Sequence, residues 1–107
     1  MRHITPTELS DWLTDAARAR PLLLDVREPW EYQLCHIAGS QLMTMATVPA
    51  RLDELDTDAE TVLICHHGGR SAQVAMFLER QGFARVINLE GGVAAWAALV
   101  DPTMAQY

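Results

Sequence analysis

The sequence predicts an α/β domain with a mostly parallel sheet, and three observations predict it. Three short runs, Leu22–Val26, Thr61–Cys65 and Arg85–Leu89, are apolar without the alternation of a half-exposed strand, as expected of strands buried on both faces. Stretches of helical spacing lie between them, and strand–helix alternation is the mark of a parallel sheet with helical crossovers. The chain has 107 residues, which suits one domain.

The elements follow in order. Thr5 can cap a helix, Pro6 fits its first position, and Glu8 completes a capping box. Leu9, Trp12, Leu13, Ala16 and Ala17 then give that helix one apolar face, and Pro21 ends the next loop. After the first strand comes a short helix, Pro29–Leu34, and a weaker strand, Gln41–Met43. Pro49–Leu55 reads as helical, with Leu52 and Leu55 on one side. Ser71–Gln81 carries Val74, Met76, Phe77 and Leu78, and Gly82 stands where a left-handed stop belongs. Val93–Leu99 is an Ala-rich last helix, and 1–99 reads as one domain. Residues 100–107, with Pro102, read as a loose tail.

Composition excludes several classes. There are 14 acidic residues against 8 basic ones, all Arg, for a net charge of −6. Such a chain lacks the basic footprint that nucleic acid requires. No apolar run approaches ~18 residues, the length of a membrane span. No basic start with an apolar stretch behind it marks a secretory leader, so the expected location is the cytoplasm. Cys35 and Cys65 are too few for a disulfide scaffold. Nothing demands more than a monomer.

The informative segment is Cys65-His66-His67-Gly68-Gly69-Arg70-Ser71, between a buried strand and a helix. Open α/β sheets place ligands at the carboxyl ends of strands. Gly68 and Gly69 let the backbone turn its N–H groups inward, and a helix start adds its dipole, so the loop is a cradle for an anion. The same field favours thiolate over thiol at Cys65, and Arg70 adds a fixed positive charge. The bland alternative is a buried structural Cys before an ordinary Gly turn. The two Gly, Arg70 and the helix start weigh against it, and Cys65 reads as a nucleophile. Cysteine phosphatases place one residue more between Cys and Arg, to wrap a phosphoryl group. The four residues here make a smaller nest, which suits one extra sulfur on Cys65. A phosphatase or arsenate reductase is disfavoured on that ground. A catalytically silent binding domain is disfavoured by the presence of Cys65.

The loop CHHGGRS resembles the active-site loop of rhodanese-like sulfurtransferases. Leu24–Ser40, LDVREPWEYQLCHIAGS, is similar to the family's amino-side motif, and Leu89–Trp96, LEGGVAAW, to its carboxy-side motif. The likeness runs from about Ile4 to Leu99. It implies a central parallel sheet of about five strands with helices on both faces. It also implies a double displacement in which Cys65 takes sulfur from a small donor anion such as thiosulfate and passes it to cyanide or a thiol. His66, His67, Gly68, Gly69, Arg70 and Ser71 would bind donor and persulfide, with no metal or organic cofactor. The alternative within the family is a relay that passes persulfide sulfur from protein to protein, with the acidic surface as a docking face.

Other candidates have two readings each. Asp25 and Arg27 could touch substrate at a strand's end, but read better as a structural pair, with Glu31 the obvious partner for Arg27. Trp30 and Tyr32 read as packing residues. Cys35 stands where the family usually has Gly and reads as a small packing residue; pairing with Cys65 cannot be argued without geometry. His36 reads as a structural hydrogen-bonding residue. Zinc on Cys35, His36, Cys65, His66 and His67 fits no standard spacing and would block the nucleophile. His66 and His67 could add positive charge near a pKa of ~6.5. Gly91 and Gly92 read as a turn, Trp96 as core, and Met43, Met45 and Met76 as core or pocket lining.

Overall fold

Five parallel strands form one sheet in the computed structural model, which describes Met1–Tyr107. They are β1 (Arg2–Ile4), β2 (Leu22–Asp25), β3 (Gln41–Leu42), β4 (Thr61–Ile64) and β5 (Val86–Leu89), arranged β1-β5-β4-β2-β3. Helices α1 (Pro6–Thr14), α2 (Pro29–Leu34), α3 (Gly69–Arg80) and α4 (Gly92–Leu99) and a 3-10 stretch, Met45–Glu54, link them. Because all pairings are parallel, every strand ends on the same edge, where sites form in open α/β sheets. No helix is long and apolar enough to cross a membrane.

The absence of alternation has its cause in two cores. β4 is the middle strand, and each of its residues is buried. Val62 and Ile64 pack with Leu9 and Trp12 of α1 and with Val93 and Trp96 of α4. Leu63 and Cys65 pack on the opposite face, with Val74, Ala75 and Leu78 of α3. Leu23 and Leu24 divide between the faces in the same way, as do Ile87 and Val86. Each aliphatic side chain so buried contributes about 1.5–3 kcal/mol.

Several elements depart from the expectation. β1 was not anticipated, since of its three residues only Ile4 is buried. α1 ends at Thr14, and Ala16 and Ala17 are exposed. The Asp15 carboxylate accepts the Ala17 N–H at 3.0 Å, a local bond that competes with a further helical turn. Met45–Glu54 is 3-10 rather than an α-helix over 49–55, and it kinks at Arg51 (φ −118°, ψ 18°). Pro49 inside it has no N–H to give. Met43 is buried, whereas Met76 is exposed.

Asp25 and Arg27 form the expected structural pair, but Arg27's partner is not the Glu31 carboxylate. Asp25 and Arg27 are both wholly buried. Arg27 Nε donates to Asp25 Oδ1 at 2.9 Å and Nη2 to Asp25 Oδ2 at 2.7 Å. Nη2 also donates to the Cys35 carbonyl at 2.7 Å, and Nη1 to the Glu31 carbonyl at 3.3 Å. The planar fork therefore ties β2 to the middle of α2 and to its C-terminal cap. Leaving one member of such a pair alone in the interior costs about 3–5 kcal/mol.

Candidate active site

Cys65 is the first residue after β4 and is 1% exposed. Its Sγ accepts the Gly68 N–H at 3.0 Å. Gly68 makes that bond with φ at +103°, in the left-handed region, and α3 begins at the next residue. The sulfur therefore sits at the start of α3, where unpaired N–H groups and the helix dipole favour negative charge.

The loop is held from behind by α4. Val93 N–H donates to the Cys65 carbonyl at 2.9 Å and Ala94 N–H to the His66 carbonyl at 3.0 Å. This close approach needs a residue without Cβ at Gly92, where φ is +58° and a methyl would collide with those two carbonyl oxygens. The Gly91-Gly92 turn thus does more than redirect the chain. It seats one helix start against the loop's carbonyls while another faces its sulfur.

Asn88 supplies a further hold that sequence reasoning missed. Its Nδ2 donates to the Gly68 carbonyl at 3.2 Å, fixing the residue whose N–H faces the sulfur. The Ser71 hydroxyl lies 2.5 Å from Asn88 Oδ1, 3.2 Å from Cys65 Sγ and 3.2 Å from the Gly68 carbonyl. With one proton it donates to one of these at a time, and Asn88 is the nearest. The signal was available: a lone amide inside the buried strand Val86–Leu89 needs partners.

Arg70, expected to add positive charge beside Cys65, is paired with an acid. Its Nη1 and Nη2 donate to Glu31 Oε1 and Oε2 at 2.7 and 2.9 Å. Glu31 also accepts the Tyr107 hydroxyl at 2.6 Å, and Arg27 Nη1 donates to that hydroxyl at 2.9 Å. A buried acid thus links α2 to the start of α3. Arg70 holds Glu31 down at about 2, with help from the Tyr107 hydroxyl and against the effect of burial. Since 4.5 is the ordinary value, the stabilisation is full above it and is lost as pH falls toward 2. Denaturant midpoints should decline across that window, and less steeply in Glu31→Gln. Equal slopes in the two proteins would remove this pairing from the account.

His66 stacks on the Tyr107 ring at 3.9 Å and 11°, and meets His67 at 3.9 Å. Burial, then the neighbouring His67, push the His66 pKa down. That shift disfavours the charged imidazole and works against a positive contribution from His66. The Gly68 N–H faces the sulfur directly, and Arg70, though paired with Glu31, still interacts with the charge of Cys65. His67 is exposed.

The model of the rhodanese-like domain family matches residues 5–99. The chain belongs to that family. It is 40% identical over 106 residues to a Mycobacterium tuberculosis protein named "Probable adenylyltransferase/sulfurtransferase MoeZ", covering 97% of this chain and 26% of that one. It therefore spans about a quarter of that relative's length. It is 35% identical to the thiosulfate sulfurtransferase GlpE of Pseudomonas fluorescens, covering 79% of this chain and 78% of the relative. Among solved structures, a rhodanese-like domain protein from Staphylococcus aureus superposes with a TM-score of 0.83 at 32% identity, covering 90% and 91% of the two chains. The five-stranded parallel sheet with helices is the rhodanese fold.

In this rhodanese-like domain Gly68 and Ser71 are the loop residues that reach the Cys65 sulfur, at 3.0 and 3.2 Å. The supporting residues are placed differently. Asp25 and Arg27 are internal braces. His36 bonds the Tyr32 carbonyl through Nδ1 at 2.8 Å and stacks on the Tyr32 ring at 4.0 Å, which is a structural role on α2. Trp30, expected to pack, is 61% exposed and meets only the edge of Tyr107 at 5.6 Å. Cys35 is buried beside Arg27, whose Nη1 is 3.8 Å from its sulfur. Tyr107 had no signal at all, since its partners lie 76 and 80 residues away in sequence.

Proposed function

We propose that this chain transfers sulfane sulfur through a persulfide on Cys65, with thiosulfate or a similar small anion as donor. The observation that carries the reading is the Cys65 sulfur bonded to the Gly68 N–H at the start of α3. The thiolate attacks the outer sulfur of thiosulfate. A new S–S bond forms, the old one breaks, and its electron pair leaves with sulfite. The negative terminal sulfur is then held by backbone N–H groups of the His66–Ser71 loop, as an oxyanion hole holds oxygen. Cyanide or a thiolate attacks that sulfur, and the S–S electron pair returns to Cys65. Neither step needs a general acid or base, so the lowered pKa of His66 is no obstacle. Arg70 contributes by anchoring the loop through Glu31, and by drawing the donor anion when that pairing loosens. The similarity to GlpE supports thiosulfate as donor.

A protein-to-protein relay is favoured by one finding: the 40% identical relative is a much longer chain, of which the matched part is 26%. Both readings use the same sulfur. Intact mass after incubation with thiosulfate tests the first. The expected result is a gain of one sulfur that cyanide removes. No gain in folded protein with a free Cys65 would overturn thiosulfate as donor and put the relay first.

A further inference from the structure

The chain after α4 does not trail away. Val100 and Met104 pack against the core beneath α1 and α4. The Met104 N–H bonds the Asp101 carbonyl at 3.1 Å, and Thr103 bonds the Asp101 carboxylate through its N–H at 3.1 Å. Beyond Met104 the backbone makes no hydrogen bond within the chain. The segment is instead fastened by one side chain, Tyr107.

That side chain bridges both flanks of the sulfur loop. Its ring lies flat on His66, the residue directly after Cys65. Its hydroxyl donates to Glu31, the acid that clamps Arg70 at the loop's other end. Between the strap and the loop lies a cavity of about 160 Å³, with His66, His67 and Ala94 on one side and Gln106 and Tyr107 on the other. Tyr107 as a residue is 39% exposed, so it closes this side as a cover and not as core.

We propose that residues 100–107 are a strap that selects acceptors for the Cys65 persulfide by size, with Tyr107 as its latch. This rests on the persulfide reading above. With the strap closed Cys65 is 1% exposed, so on this proposal only a small nucleophile such as cyanide reaches its sulfur readily. A bulkier thiol must first displace Tyr107 from His66 and Glu31. The chemistry is the same for both: the acceptor's lone pair forms a bond to the terminal sulfur, and the S–S pair returns to Cys65 as thiolate. The products are thiocyanate from cyanide and a free persulfide from a thiol.

The test loads wild type, Tyr107→Ala and Tyr107→Phe with thiosulfate, confirms one added sulfur by intact mass, and measures discharge by cyanide and by glutathione. The ratio of the glutathione rate to the cyanide rate should rise at least fivefold in Tyr107→Ala. It should rise less in Tyr107→Phe, which keeps the stack on His66 and loses both hydrogen bonds. A general loss of loop order would lower both rates together and leave the ratio alone. If all three proteins load sulfur and the ratio is the same in each, the strap proposal is overturned. If the wild type never loads sulfur, the persulfide reading fails first, and the mass measurement shows it separately.

Discussion

Cys65→Ser should end sulfur transfer and leave the fold in place. The replacement is nearly isosteric, and its hydroxyl oxygen can still accept the Gly68 N–H that Sγ accepts now at 3.0 Å. No cavity large enough to matter is made in the core shared with Val74 and Leu78. A serine hydroxyl is not ionised by this cradle, and an S–O linkage cannot carry sulfane sulfur as a persulfide does. Turnover with thiosulfate and cyanide should fall by at least about 10³-fold, with an unchanged denaturant midpoint. Residual turnover at a tenth or more of wild type would move the sulfur to Cys35 and overturn the assignment.

The second large effect is expected at a residue with no chemistry of its own. Gly92→Ala places a methyl on the carbonyl oxygens of Cys65 and His66, at a backbone angle of +58°. The obstacle is backbone, so no side chain can swing aside. Either α4 withdraws and loses its bonds to those carbonyls, or the loop shifts and takes the Cys65 sulfur with it. The left-handed conformation and two weakened hydrogen bonds together cost on the order of 3 kcal/mol. The denaturant midpoint should fall accordingly, and persulfide loading should fall further than the folded fraction does. Gly69→Ala is the control for stability. That position has no positive φ and nothing within 4 Å of a built Cβ, so its midpoint should hold or rise slightly. Equal midpoints for the two variants would show that α4 does not press on the loop.

The features legible in the sequence are those with a local cause. The runs LLLD, TVLI and VINL stand out because their neighbours cover both faces, and that leaves no polar alternation. The sulfur loop stands out because a nucleophile, a left-handed turn and a helix start must be adjacent in the chain. β1 was hidden: it is an edge strand of three residues with one buried side chain, and that pattern is indistinguishable from a polar terminus. Glu31 reads as the obvious partner for Arg27 as the nearest acid of the following helix's first turn. Arg27 in fact precedes α2, and its side chain turns back to Asp25. That left the Glu31 carboxylate free for Arg70, a partner 39 residues away that no local pattern announces.

The division of β4 between two cores has a kinetic and analytical consequence. Leu63 and Cys65 share one face, Val62 and Ile64 the other. A slip of one residue in pairing would exchange the faces. It would carry the reactive sulfur to the α1 side, away from the Gly68 amide, in the same act that misplaces the core. On the persulfide reading, mispaired molecules should carry no transferable sulfur. Titrating that sulfur per chain should then count correctly registered molecules and report refolding yield.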